Sequence, residues 1–269
     1  VSSSRRSFLA LASSGAAGLL VRAAWAGPVA GPAPPAAARD LPLLRVPPRT
    51  RNGEKVPIVV EVPEPMTPEH HVTTIRVRNE TDPISSKGTF HFTPANGRIY
   101  LAFQARMHEG SSVVTASAEC NQHGTFTARS PIEIPPGAGG CVSAGEPKPA
   151  RARGDDIRAP VIRIPELVER GTVHRGELVH VQVKMRHPNR TGLALVDGRF
   201  VGEEEPLHID AVEVLYDGEQ VSYFSMTAAL ADDPFLGFGL LARRAGTLAV
   251  VVTNNRGDRF EATHALRVA

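Results

Sequence analysis

The chain has little of what most recognisable functional motifs need. Of 269 residues two are cysteine, Cys120 and Cys141, one is tryptophan, and aromatics make up 5%. So few cysteines exclude a disulfide-stapled miniature fold and a four-cysteine metal domain. With so few rings and no long Lys/Arg run, a nucleic-acid surface is not expected, since that needs a basic stripe. There is no Gly-x-Ser-x-Gly, no phosphate-cradling glycine loop ahead of a helix, and no His-Glu-x-x-His. Outside the N-terminal segment, no apolar run approaches the roughly 20 residues of a membrane-spanning helix, and no segment has convincing helical periodicity.

What is present begins with Arg5-Arg6-Ser7-Phe8-Leu9, a twin-arginine pair leading into an apolar stretch that runs to Val21. Ala24-Trp25-Ala26 closes it with a small-x-small triplet. This is the anatomy of a twin-arginine signal peptide over residues 1–26, so the expected location is periplasmic and the twin-arginine export machinery is an expected partner. The apolar run, about 13 residues, is too short for a membrane anchor. Without its Arg5, Arg6 and Arg22, 27 basic residues face 28 acidic ones, so the net charge of +2 partly reflects the signal.

Residues 27–48 carry Pro28, Pro32, Pro34, Pro35, Pro42, Pro47 and Pro48 among alanines and read as an extended linker. Short strands separated by turn residues follow. In residues 49–136 they are Val56 to Val62, Val72 to Arg78, Gly88 to Thr93, Ile99 to Met107, and Val113 to Ala118 with Thr125 to Ile134 across the loop Asn121-Gln122-His123-Gly124. A second Pro/Ala/Gly-rich stretch lies within residues 137–158. In residues 159–269 strands resume at Val161 to Ile164, then Val179, Val181, Val183 and Met185 alternate with His180, Gln182 and Lys184. Ile209 to Tyr216 and Val221 to Met226 are joined through Asp217-Gly218, and Thr247 to Thr253 and Phe260 to Val268 flank Asn254-Asn255-Arg256-Gly257. The expected fold class is all-β: two antiparallel β-sandwich domains, each near the size of a seven-strand sandwich, joined by a flexible linker.

Cys141 sits in Pro135-Pro136-Gly137-Ala138-Gly139-Gly140-Cys141-Val142-Ser143. A thiol with no bulky neighbour before Val142 reads as presented to a partner, with Gly137, Gly139 and Gly140 supplying flexibility. Cys120, at a hairpin end, reads as a half-buried packing residue. Two other readings of the cysteines stand beside these. One is a Cys120–Cys141 disulfide, which the surrounding glycines would leave floppy. The other is a metal or redox centre using both cysteines and a histidine such as His123, for which too few ligands have suitable spacing. No metal and no cofactor are expected. His70-His71 and Glu203-Glu204-Glu205 read as solvated loops, and His91, His123, His180, His187 and His208 mostly as surface residues.

In order, several segments resemble the two halves of a periplasmic sulfur-oxidation carrier, SoxY and SoxZ, fused in one chain. Asn52-Gly53-Glu54-Lys55-Val56-Pro57-Ile58 resembles the start of the first SoxY strand, and Gly139-Gly140-Cys141 the start of its Gly-Gly-Cys-Gly-Gly arm. His187-Pro188-Asn189-Arg190-Thr191-Gly192 partly matches the SoxZ His-Pro-Met-Glu-Thr-Gly turn, and Asp233-Pro234-Phe235-Leu236-Gly237-Phe238 its Asn-Pro-Tyr-x-x-Phe segment. The resemblance implies immunoglobulin-like sandwiches and a covalent carrier rather than an enzyme, with sulfur intermediates attached to Cys141. The implied partners are a haem oxidase, a sulfate-releasing hydrolase and a sulfane dehydrogenase. The arm departs from the family in Val142-Ser143 and in continuing into a linker. Similar fused carriers accompany quinoprotein dehydrogenases, which is the alternative reading, together with a binding module in which the cysteine is incidental.

Overall fold

Strands form wherever β-branched and polar residues alternate, and the connections decide how they stack. The computed structural model describes residues 40–142 and 157–269; the signal peptide, residues 27–39 and residues 143–156 lie outside them. The first half contributes β1 (Leu43–Arg45), β2 (Val56–Val62), β3 (Val72–Asn79), β4 (Ser86–Phe92), β5 (Ile99–Ala105), β6 (Gly110–Cys120) and β7 (Gly124–Ile134), with a 3-10 turn at Pro94–Asn96. The second contributes β8 (Val161–Arg163), helix α1 (Pro165–Arg170), β9 (Glu177–Lys184), β10 (Leu193–Val196), β11 (Arg199–Gly202), β12 (Ile209–Tyr216), β13 (Glu219–Ser225), β14 (Phe235–Ala242), β15 (Gly246–Asn254) and β16 (Arg259–Leu266).

Two large antiparallel sheets hold all of these strands except the β10–β11 ribbon. One runs β1-β2-β5-β14-β9-β8 and the other β16-β15-β12-β13-β4-β3-β6-β7. Each half therefore supplies three strands to one sheet and four to the other, the count of a seven-strand immunoglobulin-like sandwich. The fold is all-β and built of two such halves, as the alternation predicts. What the sequence does not announce is that both sheets run continuously from one half into the other. β5 pairs with β14 through Leu101↔Phe238 and Phe103↔Leu236, and β4 pairs with β13 through Phe90↔Phe224 and Phe92↔Ser222.

Aromatic residues close this seam. Phe90 and Phe103 lie 4.9 Å apart between ring centroids, and Phe224 packs 5.5 Å from both Phe90 and Phe238. Such pairs add to the burial of the rings themselves. Asn96, fully buried, locks the 3-10 turn across the seam: its Nδ2 donates to Ser222 Oγ (2.8 Å) and to the Gly239 carbonyl (2.9 Å).

Five elements escape the sequence reading, each for a physical reason. β1 lies inside the proline-rich stretch and pairs with β2 through Leu43↔Glu61. β14 is buried on both faces, so its apolar run shows no period of two. The ribbon β10–β11 is four residues a side, turning at Asp197-Gly198, both with positive φ. Helix α1 is six residues long, begun by Pro165 and ended by left-handed Gly171, whose N–H reaches the Leu167 carbonyl at 2.8 Å. Too few turns exist there for periodicity to register.

Candidate functional site

The segment carrying Cys141 leaves β7 and folds back against the chain. The Gly53 N–H donates to the Ala138 carbonyl (2.9 Å) and the Gly140 N–H to the Met107 carbonyl (2.8 Å), while the Met107 N–H donates to the Gly53 carbonyl (2.8 Å). The Gly137 N–H donates to the Glu109 carboxylate. Backbones this close leave no room for side chains. A Cβ on Gly140 would sit 2.4 Å from Glu54 N and Cα, and one on Gly53 would sit 2.4 Å from the Ala138 carbonyl oxygen.

The expectation of an exposed thiol on a loose arm is therefore corrected. Cys141 is 2% exposed. Its carbonyl accepts from Thr191 Oγ1 at 2.7 Å, and the Gly140 carbonyl accepts from Arg106 Nη1 at 2.8 Å. Gly139 and Gly140 serve close approach rather than freedom. Gly137 differs, with φ of +77° and open space around it; it needs glycine for its backbone conformation.

Beneath the arm lies a set of buried charges that the sequence reading missed. Lys87 Nζ is 2.6 Å from Asp82 Oδ2, with the two side chains 0% and 1% exposed. Lys87 also donates to the Ile84 and Arg106 carbonyls, both at 2.9 Å, and Asp82 Oδ1 accepts from the His108 N–H at 2.8 Å. Arg106, 1% exposed, completes the group through Asp232 at 2.9 Å. Burial pushes the Cys141 thiol up to about 12; the Asp82 charge adds to this, and Lys87 and Arg106 oppose it. In the docked position Cys141 is a protonated thiol at neutral pH, protected rather than poised, because the thiolate is the nucleophile.

Motifs far apart in the sequence meet here. Gly53 and Glu54, from the segment Asn52 to Ile58, cradle Gly140. Thr191, from the turn His187 to Gly192, holds the Cys141 carbonyl. That turn is pinned in place: the His187 N–H donates to Asp233 Oδ1 (3.1 Å), the Asn189 N–H to Asp232 Oδ1 (2.7 Å), and Asn189 Nδ2 to the Ala231 carbonyl (2.6 Å). His187 is fully buried, not a surface residue, and burial pushes it below the ordinary histidine range, as it does for His208. Glu203, Glu204 and Glu205 are exposed, as expected of a solvated loop.

The two cysteines lie at opposite ends of a long hairpin. Both are free thiols. β6 and β7 are 11 residues each, with Cys120 paired to Gly124 at one end and Gly110 to Ile134 at the other. At about 3.4 Å per residue the ends are roughly 30 Å apart, and Cys141 docks beside Met107 at the far end. A Cys120–Cys141 disulfide is excluded by this span, and so is a centre using both thiols with His123. Cys120 instead lies with His123, His70 and Asp40.

Replacing Gly140 with valine should lift the arm off Gly53 and Glu54. At an overpacking cost of about 1–3 kcal/mol, alkylation of Cys141 in the folded chain should quicken roughly tenfold to a hundredfold. Peptide-level mass spectrometry on protein with an unchanged circular dichroism spectrum measures this, and an unaltered labelling rate would contradict the docked arrangement.

These features define a class: an all-β chain of two sheet-sharing sandwiches whose glycine–cysteine segment from the first half docks under a turn of the second. A family model for the sulfur oxidation protein SoxY matches residues 30–141, ending on Cys141, and one for the sulphur oxidation protein SoxZ matches residues 168–265. The chain belongs to these families as a SoxY–SoxZ fusion. Among curated protein sequences none matches it. Among solved structures it is similar to an E23A superoxide reductase (neelaredoxin) from Ignicoccus hospitalis, with 25% identity over 36% of this chain and 82% of that one and a TM-score of 0.33. It is also similar to murine CEACAM1b, at 12% identity over 85% of this chain and 100% of that one, with a TM-score of 0.23. Likeness at that level carries no argument about function.

Proposed function

We propose that this member of a sulfur-oxidation carrier family is a periplasmic covalent carrier, exported by the twin-arginine route, that holds sulfur intermediates on Cys141 and performs no turnover of its own. The observation that carries the reading is the convergence on one cysteine of Gly53-Glu54, Gly139-Gly140 and Thr191, drawn from both halves of the fusion. Among the described residues no acidic or basic side chain hydrogen-bonds the Cys141 thiol, which suits storage and delivery better than catalysis.

The chemistry requires the arm to leave its dock, since the buried thiol is protonated. Undocked, the thiol ionises with loss of one proton, and the thiolate then couples to thiosulfate to give a cysteine S-thiosulfonate, with two electrons passed to a partner haem oxidase. A sulfate-releasing hydrolase and a sulfane dehydrogenase then act on the loaded arm. Seven residues from Pro135 to Cys141 span roughly 20 Å when extended, enough to enter a recessed pocket.

Loading with thiosulfate and the partner oxidase should add the mass of the thiosulfonate to the Cys141 peptide and to no other. Loading that persists in Cys141→Ser would overturn the reading. One observation favours a second reading, a binding module serving a quinoprotein dehydrogenase: Cys141 is docked rather than displayed. In that case Cys141→Ser leaves partner affinity and growth on the relevant substrate unchanged.

A further inference from the structure

At the end of the β6–β7 hairpin remote from Cys141, four potential ligands converge from three segments. Asp40 precedes β1, His70 lies in the loop before β3, and Cys120 and His123 flank the hairpin turn. His70 Nε2 lies 3.1 Å from Asp40 Oδ1 and 3.2 Å from Asp40 Oδ2, and Asp40 Oδ2 is 2.7 Å from His123 Nδ1. Cys120 Sγ is 3.8 Å from the same nitrogen. One donor atom from each residue falls within 4.8 Å of all the others. The two imidazoles meet edge to face with centroids 4.8 Å apart, both opening on the carboxylate.

The supporting loops are fixed to each other independently of these side chains. The Asn121 N–H donates to the His71 carbonyl (3.1 Å), the His71 N–H to Asn121 Oδ1 (2.9 Å), and Asn121 Nδ2 to the Glu69 carbonyl (3.0 Å). This clamp explains why only one of the paired histidines takes part: His71 Nδ1 bonds the Thr67 carbonyl at 3.1 Å and His70 turns inward. The Gln122 N–H points at Cys120 Sγ from 3.4 Å, a donor placed to stabilise a thiolate. Asp40 and Cys120 are buried, while His123 reaches the surface and provides a way in for an ion.

We propose that Asp40, His70, Cys120 and His123 form a binding site for one first-row divalent transition-metal ion, of which Zn²⁺ is the type. Two imidazoles, a thiolate and a carboxylate make a four-donor set that such ions take in tetrahedral geometry, with bonds of about 2.0–2.3 Å. Ligands at those lengths stand roughly 3.3–3.7 Å from one another, so the 2.7 Å Asp40–His123 approach must open and the widest separations, up to 4.8 Å, must close by about 1 Å. Burial pushes the Asp40 carboxyl up, but hydrogen bonds with His123, His70 and Cys120 outweigh it and hold the group below the usual carboxylate range.

The alternative is a purely structural network in which Asp40 accepts hydrogen bonds from two imidazoles. Titrating the metal-stripped full-length chain with Zn²⁺ and with Co²⁺ separates the two. The metal site predicts one equivalent of Zn²⁺ bound, a Co²⁺ spectrum with a thiolate charge-transfer band, and a higher Tm with Zn²⁺. Cys120→Ser should abolish the band and, like His123→Ala, weaken Zn²⁺ binding by at least about a hundredfold, whereas Cys141→Ser should keep the band. A chain that takes up neither ion stoichiometrically would overturn the proposal, as would a Co²⁺ complex lacking the thiolate band. The last two measurements use the unmutated chain, so they hold even if a variant fails to fold.

Discussion

Iodoacetamide should label Cys141 of the folded chain at pH 8 about a thousandfold more slowly than in the urea-unfolded chain. A thiol at about 12 instead of the ordinary 9.0 is roughly a thousand times less ionised there. The pH profile gives the sharper test. The docked pKa is raised, so docking keeps its full strength below about pH 9. Above it, docking weakens by about 1.4 kcal/mol per pH unit until pH passes the docked value. Labelling of the unfolded chain should level off above pH 9, whereas labelling of the native chain should keep rising about tenfold per pH unit. A native profile that levels off near pH 9 would mean that Cys141 is not held in the dry site. Mapping the Cys141 peptide keeps the signal separate from Cys120.

Lys87→Met should cost about 3–5 kcal/mol of stability, a larger loss than a surface charge can produce. The ammonium and the Asp82 carboxylate form a pair closed off from water, so removing the cation leaves the anion buried against an apolar side chain. The double variant Lys87→Met/Asp82→Leu should recover most of the loss, because the penalty comes from the uncompensated charge and not from the absence of the pair. Urea denaturation of the single and double variants tests this. A loss below about 1 kcal/mol in the single variant, the value of an exposed pair, would show that the charge is hydrated after all.

Both results bear on the same device. The dock under Cys141 holds the arm through its backbone carbonyls, that of Gly140 accepting from Arg106 and that of Cys141 from Thr191. Arg106 reaches the Gly140 carbonyl while its own carbonyl accepts from Lys87. An arm held by a few hydrogen bonds is one that a partner's matching contacts can release, which the proposed carrier role requires.

The residue pattern alone was enough for much of this. Alternation marks β3 and β9, strand-like runs between turn residues mark β2, β7, β12 and β15, and Asp217-Gly218 marks the β12–β13 turn, because all of these depend on neighbours in sequence. Cys141 stands out in the sequence because of its glycines, yet Gly139 and Gly140 allow close backbone approach rather than freedom, which only the facing backbones of Glu109 and Gly53-Glu54 show. Lys87 illustrates the limit best. In β4, Val77 pairs with Gly88 but Arg78 pairs with Ser86, so Lys87 is the extra residue of a bulge. The slip turns its side chain inward with Phe90 and Phe92 rather than outward with His91. The pairing of Thr191 with Cys141 and the meeting of Asp40 with His70, Cys120 and His123 join residues that are distant in sequence. Local pattern carries no record of such contacts; strand order, register and the shared sheets decide them.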